Sequence, residues 1–419
     1  MQTVNIRTLR EKGLLSFWYL HVQPPLYDFL RYLLSFEDLS GVAAGVILDH
    51  RIYLFYCFIY GAFNQLIYFW SRVLGFRNMF AILVASFWGL YPGNLAMATL
   101  LDSTYLSAFL IAWTILSLYL YLRRPSARGL ATFLVIFLTA SWTRTIFQIH
   151  FFLPLLATVV FFIFMFHRQE FARASIIALP LAIAAFFLPL KQQYLYGTLE
   201  TTTFAGQHKI EGIWYQPSIA EKQAIDVPDF YIENAQQLQS KYNSVDQVAL
   251  NYRYEKLFRK ILLSEPVLVL KGVQKSLRQG INEMRMPTMY YMPNRLVETL
   301  PWITLSGLLS KGSSYLLIIL FGSLGYLFAI YNNLCAFRPR FLIIVGFVGL
   351  VFATIVVGSN RYEWTEAERL KFLIEAPVLL FSLHGIRLLF ETSRIVIYAR
   401  SWRDKRNAEI EATRRNCSL

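Results

Sequence analysis

In this 419-residue chain 56% of residues are apolar and only 16% are charged, and the mean hydropathy is +0.43. That is more apolar surface than a water-soluble fold of this length buries, so lipid is the expected solvent. The net charge of +14 comes with nothing resembling a nucleic-acid motif, and it reads as membrane topology plus attraction to anionic headgroups.

In chain order, residues 1–13 are polar, with three basic residues and one acidic. An amphipathic stretch follows, Leu14-Leu-Ser-Phe-Trp-Tyr-Leu-His21-Val-Gln23-Pro-Pro-Leu-Tyr27. Aromatics beside a Pro-Pro pair predict an interfacial helix that turns sharply before the next one. Six apolar runs come next, at 53–73, 79–97, 104–122, 130–147, 149–166 and 174–190. Each is close to the roughly 20 residues that a helix needs to cross a hydrocarbon core. Tyr91-Pro92-Gly93-Asn94 is the one obvious break inside them.

Residues 191–312 are polar and rich in Gln, Asn and Tyr. From Val245 to Arg278 they read as amphipathic helix, with Leu257, Ile261 and Leu262 on one side and Lys256, Arg259 and Lys260 on the other. Pro287, Pro293 and Pro301 lead to three further runs at 313–332, 340–357 and 373–390. The expected fold is therefore an all-α polytopic bundle of about nine spans. Its parts would be an interfacial segment (1–52), six spans (53–190), a large extracytoplasmic segment (191–312), three spans (313–390) and a basic tail (391–419).

Arginines set the orientation. Arg72 and Arg77, Arg123, Arg124 and Arg128, Arg168 and Arg173, then Arg338 and Arg340 fall on alternate loops, and the tail after Arg394 continues the series. By the positive-inside rule these loops are cytoplasmic, and 1–52, 98–103, 191–312 and 359–372 lie outside. The same parity puts residues 1–50 across the membrane with no preceding span to carry them, so an upstream span is expected ahead of Met1. Cys57, Cys335 and Cys417 support no disulfide framework, and the six histidines show no metal-binding spacing.

Several polar motifs sit on the outer side. The first, Leu9-Arg10 through His21-Val-Gln23-Pro-Pro-Leu-Tyr27, resembles the first outer loop of GT-C glycosyltransferases of the glycosyltransferase 39-like group. That group includes the protein O-mannosyltransferases and aminoarabinose transferases. Leu101-Asp102-Ser is similar to their Leu-Asp-Ser motif, and Thr143-Arg144-Thr-Ile-Phe-Gln-Ile-His150 to an Arg-x-x-Phe-His element. Lys191-Gln-Gln-Tyr-Leu-Tyr-Gly197 with Thr201-Thr-Thr-Phe-Ala-Gly206 resembles a Lys-Asn and Gly-rich segment of related transferases. Glu363-Trp-Thr-Glu366-Ala-Glu-Arg369-Leu-Lys371-Phe372 is similar to their Glu-x-Gly-Glu-Asn-x-Arg-Phe-Arg-Phe block.

The resemblance implies transfer of a sugar from a polyprenyl-phosphate donor to a glycan, lipid or protein acceptor at the outer face of a bacterial inner membrane. It implies an outer-loop carboxylate and leaves open a divalent ion, Mg or Mn. The acid expected in the first loop is absent, so Asp102 and Glu11 are the catalytic candidates, with Asp28 in reserve. Arg369, Lys371 and Arg144 are the candidates for the donor phosphate, where fixed cations would neutralise developing charge. His21, Gln23, Tyr27, Lys191, His208 and Glu366 are candidate substrate contacts. The blander alternatives remain: interfacial snorkelling for Arg369 and Lys371, a structural Asp102–Arg144 pair, and structural histidines. A lipid-glycan flippase or transporter, a polymerase or ligase, and a noncatalytic relative stay open as other functions.

Overall fold

The computed structural model describes residues 6–21, 24–35, 42–99, 103–144, 149–166, 168–200, 202–238, 243–282, 312–331, 346, 348–349 and 372–391. Among them every regular element is helical. Inside lipid a helix satisfies each backbone N–H and C=O within its own segment.

Three short helices open the chain: α1 (Ile6–Lys12), α2 (Leu15–Tyr19) and α3 (Leu26–Leu34). Gly13, at φ +54°, makes the turn between the first two. The bundle follows as α4 (Val42–Val73), α5 (Asn78–Leu90), α6 (Pro92–Thr99), α7 (Ser103–Arg123), α8 (Ala127–Ser141), α9 (Ile149–Phe166) and α10 (Arg168–Tyr196). A layer of shorter helices comes next: α11 (Ala205–Gly212), α12 (Ile219–Gln223), α13 (Asp229–Gln236), α14 (Val245–Ser264) and α15 (Pro266–Asn282). Two more apolar helices complete it, α16 (Gly312–Tyr331) and α17 (Phe372–Glu391).

Among the described residues, four segments are long and apolar enough to cross a membrane: Asp49–Val73, Ser103–Arg123, Phe171–Tyr196 and Phe372–Glu391. They coincide with the expected spans at 53–73, 104–122, 174–190 and 373–390. The expected span 79–97 is instead a pair of helices, Asn78–Leu90 and Gly93–Thr99, bent by 54°. Proline has no N–H to continue the ladder, and the carbonyl freed at Trp88 accepts from Tyr91 N–H at 3.2 Å and from Asn94 Nδ2 at 3.0 Å. Tyr105 Oη then donates to Asn94 Oδ1 at 3.0 Å, which ties the bend to α7. The runs expected at 130–147, 149–166 and 313–332 contain shorter apolar helices, Ala127–Ser141, Leu155–Met165 and Leu317–Ala329. The run at 340–357 lies outside the described residues except for 346, 348 and 349.

Helix α7 is the centre of the bundle, with 83% of its apolar window buried against 12% for α10, whose exposed leucines and phenylalanine face outward. An aromatic layer closes around its first turns. Tyr105 meets Tyr56, Phe63 and Phe372, and Phe372 also stacks on Trp88 at 5.8 Å. At the far side α16 and α17 cross where glycine permits backbone contact: a Cβ on Gly325 would collide with Gly385, and one on Gly322 with Ser382. Tyr326 Oη lies 2.8 Å from His384 Nδ1 beside that crossing.

The amphipathic helix expected from Val245 to Arg278 is two helices, because Glu265-Pro266 ends one and opens the other. Leu257 and Ile261 face the local core as expected. Leu262 does not: it is 45% exposed, one residue round the helix from Ile261.

Hydrogen bonds sort the segments to the two ends of the bundle. At one end Arg387 donates to Leu74 O at 3.3 Å and lies over the Phe76 ring. At the other end Leu26 N–H donates to Trp142 O at 3.0 Å, and Thr203 N–H to His21 O at 2.9 Å. The N-terminal helices, the start of α7 and the end of α10 thus share one end.

A cysteine introduced at Arg124 and one introduced at Lys222 should accept a membrane-impermeant thiol reagent from opposite sides of sealed vesicles; labelling of both from one side would reverse the arrangement. At the glycine crossing, Gly325→Val should cost about 1–3 kcal/mol by overpacking, read as a lower melting temperature in detergent. Gly61, which has open space at its Cβ position, is the control, and Gly61→Ala should leave the melting temperature unchanged or raise it.

Candidate functional site

The site residues are organised by the way α2 ends. Leu20 leaves the helix in extended backbone, at φ −69° and ψ 124°, which strands the last carbonyls of α2 without helical partners. The last turns of α10 supply those partners. Lys191 Nζ donates to Leu20 O at 2.6 Å and to Phe17 O at 3.3 Å. Gln192 Nε2 donates to Leu20 O at 3.2 Å, and Tyr196 Oη to Tyr19 O at 2.7 Å. A buried ammonium surrounded by carbonyl dipoles is a stable arrangement where a bare one is not.

His21 follows directly and is fully buried. Its N–H donates to Asn243 Oδ1 at 3.0 Å, its carbonyl accepts from Thr203 N–H, and its Nδ1 lies 2.7 Å from Thr203 Oγ1. The ring sits 4.8 Å from that of Tyr196. Burial, and secondarily the Lys191 charge, push its pKa down to about 3, so the imidazole is neutral. Nε2 has no protein partner among the described residues, and neither does Gln192 Oε1.

His21 and Lys191, far apart in sequence and both candidate substrate contacts, are thus brought together. Their geometry is that of a lock joining α2, α10 and the Thr202–Thr203 turn, with Lys191 committed to backbone carbonyls. Tyr27 is likewise buried, in the main core, at 2% exposure. Asp28 beside it is fully buried and pairs with Arg31 at 2.9 Å. Arg144 donates to Thr104 Oγ1, two residues after Asp102 in the Leu-Asp-Ser motif. Glu11 is exposed on α1, and His208 is exposed on α11 with its ring 6.2 Å from that of Phe204. Gln23, Asp102, Glu366, Arg369 and Lys371 lie outside the described residues, as does the side chain of His150.

Phe372, which closes the Glu363–Phe372 motif, is fully buried against Tyr105 and Trp88. One turn further along α17, Glu375 is 1% exposed. The sequence reading passed over it, although a lone acid in the apolar run Phe372-Leu-Ile-Glu375-Ala-Pro-Val is a visible signal. Nothing in the sequence shows that Asp28 is buried.

Among the described residues no three His, Cys, Asp or Glu side chains come together as a metal site. Asp28, directly after the first motif, pairs with the Arg31 guanidinium. No family model, curated protein or solved structure matches the chain.

Lys191→Met should leave the carbonyls of Phe17 and Leu20 short of donors, at about 1–3 kcal/mol for each one unsatisfied, and limited proteolysis should then cut within residues 6–21 faster. Acid should act on the same lock. A solvated histidine protonates near 6.5 whereas locked His21 stays neutral to about 3, so the released segment binds a proton that the locked one does not. The histidine's share of the stabilisation is complete above about 6.5 and is lost progressively as pH falls from there toward 3. Cleavage within 6–21 should therefore accelerate over that range, and His21→Gln should flatten the dependence.

Proposed function

We propose that this chain is a GT-C-type, inverting glycosyltransferase that uses a polyprenyl-phosphate-linked sugar. What supports the reading is that the described members of all five family-like motifs share one end of the bundle: His21 and Leu26, Thr104, Arg144, Lys191 and Thr203, and Phe372. Parity alone brings alternate connections of a bundle to one end, so the weight of the reading rests on the five resemblances occurring in order along the chain. On this reading the bundle has about nine spans, residues 191–312 lie outside, and the active face is the periplasmic side of a bacterial inner membrane.

The reaction asks two things of that end. An acceptor hydroxyl attacks the anomeric carbon as the bond from that carbon to the phosphate oxygen breaks, and the lipid monophosphate leaves with the bonding pair. A carboxylate takes the hydroxyl proton, which requires hydrogen-bond reach to the acceptor. Asp102 and Glu11 are the acids put forward for that role, with Asp28, which follows the first motif and pairs with Arg31, held behind them. Cations must neutralise the charge that develops on the phosphate, the role given to Arg369, Lys371 and Arg144. His21 and Lys191 position the first motif and take no proton in this scheme. The acceptor is a glycan, lipid or protein.

A transporter of lipid-linked glycans would share the bent pair α5 and α6. It would be expected to carry a counterpart in the second half, and only one bent pair occurs among the described residues.

The deciding experiment incubates purified protein in liposomes with polyprenyl-monophosphate sugars and, separately, with diphosphate-linked oligosaccharides. Transfer from the monophosphate donor alone is expected. Transfer only from the diphosphate donor would make the protein a polymerase or ligase, and donor translocation without transfer would make it a flippase. Arg369→Ala should lower turnover by about a hundredfold or more, with Arg369→Lys recovering part of it, because the planar two-point contact is lost.

A further inference from the structure

A cavity of about 240 Å³ opens where α10 ends, outside the lock described above. Gln193 and Gly197 form one wall, and Tyr231 on α13 with Tyr252, Lys256 and Arg259 on α14 form the other. Gly197 is required there. Its φ of +71° is left-handed, and a Cβ would stand 2.7 Å from Tyr231 Cε2, so the tyrosine ring lies directly over bare backbone. The Tyr231 and Tyr252 rings are 5.6 Å apart, and Lys256 Nζ lies 5.4 Å from the centre of the Tyr252 ring.

The charges around the cavity do not cancel. Glu255 on its floor accepts from Lys209 at 2.8 Å, and Lys209 is also 2.8 Å from Glu200. Burial works against the Lys209 charge, but the two glutamates more than offset it and hold its pKa above the ordinary lysine value. Arg259 reaches Glu255 only at 3.7 Å, and Lys256 has no acidic partner among the described residues. Three cations, Lys209, Lys256 and Arg259, against two carboxylates, Glu200 and Glu255, leave one positive charge.

The rim is apolar on the side of the membrane helix. Tyr194, Leu199 and Phe230 are 64%, 47% and 46% exposed, and the Tyr194 and Phe230 rings meet edge to face at 5.8 Å. The cavity is smaller than the roughly 300–1,000 Å³ typical of pockets that enclose whole ligands. It has room for a headgroup, and the rim offers the rest of the molecule a path into the bilayer. Aromatic side chains at this level are the usual anchors of the interface.

We infer that this cavity is a binding site for an anionic phospholipid, whose phosphodiester enters between Lys256, Arg259 and the two tyrosine hydroxyls while its chains run down past Leu199 beside α10. One net positive charge matches the single negative charge of a phosphodiester better than the larger charge of a monoester. The bound lipid would tie α13 and α14 to the end of α10 and so hold the outer helical layer against the membrane. The inference needs only a bilayer beside α10, so it stands or falls separately from the sugar-transfer reading.

The test is native mass spectrometry of the full chain in phosphatidylglycerol titrations, with phosphatidylcholine as the neutral comparison. Phosphatidylglycerol should be retained in preference, and the Lys256→Gln/Arg259→Gln double variant should bind it about tenfold or more weakly. Both side chains are exposed on α14, and an unchanged melting temperature will show that the fold is kept. Lys260→Gln, an exposed cation of the same helix outside the cavity, should leave retention unchanged. Equal retention of the two lipids, no loss in the double variant, or an equal loss in Lys260→Gln would overturn the site. Displacement by millimolar inorganic phosphate would make it a site for free phosphate, and displacement by equimolar polyprenyl monophosphate a site for lipid monoesters. Either result would overturn the phospholipid assignment.

Discussion

The buried side chain of Lys191 makes the contact on which one whole end of the molecule depends. It sits at the end of an apolar helix, where a cation without partners would be prohibitively costly, and it is stabilised by carbonyls that α2 leaves without helical partners. Each side solves the other's problem. The N-terminal helices are too short to be stable alone, and the lysine without those carbonyls would be a bare buried cation. Once Leu20 is held, His21 reaches Thr203 and Asn243, and the outer helical layer is drawn against the same point. A segment that would otherwise lie loosely on the membrane becomes part of a fixed wall.

The bundle underneath is organised by a comparable exchange. Pro92 interrupts a span, and the polar backbone thereby freed is satisfied by Asn94, whose own side chain is held by Tyr105 of the central helix. The aromatic layer around Tyr105 then seats Phe372, so the beginning of α17 is fixed beside the beginning of α7. The bend and the lock lie at the same end, and between them they bring five separate motifs together. This end is also where acids occur inside the protein. Asp28 and Glu375 are both buried, and buried carboxylates in a membrane protein are retained at a cost that function most readily explains.

The outer layer distributes its charge unevenly. Lys209 is held between Glu200 and Glu255, whereas Lys256 and Arg259 face a cavity at the mouth of α10 with an apolar rim. Polar walls with an adjacent hydrophobic shelf suit a molecule that is itself amphipathic, and the boundary of a bilayer is where such molecules are found.

Much of this was legible in the sequence. Runs of apolar residues determined the helices at 53–73, 104–122, 174–190 and 373–390, because crossing lipid leaves the backbone no alternative. Tyr91-Pro92 marked the bend. The end of α14 at Glu265-Pro266 was equally visible and was read through, because helical periodicity continues across it. What one-dimensional order does not contain is the pairing of side chains with distant backbone. Lys191 reads as a substrate contact by position and is a carbonyl clamp by geometry, and Tyr27 reads as an outer-loop residue and is core. The burial of Asp28 and Glu375, the Gly325–Gly385 crossing and the cavity beside Gly197 were decided only by tertiary structure. Each depends on which surfaces meet, and the sequence states what those surfaces carry without stating where they lie.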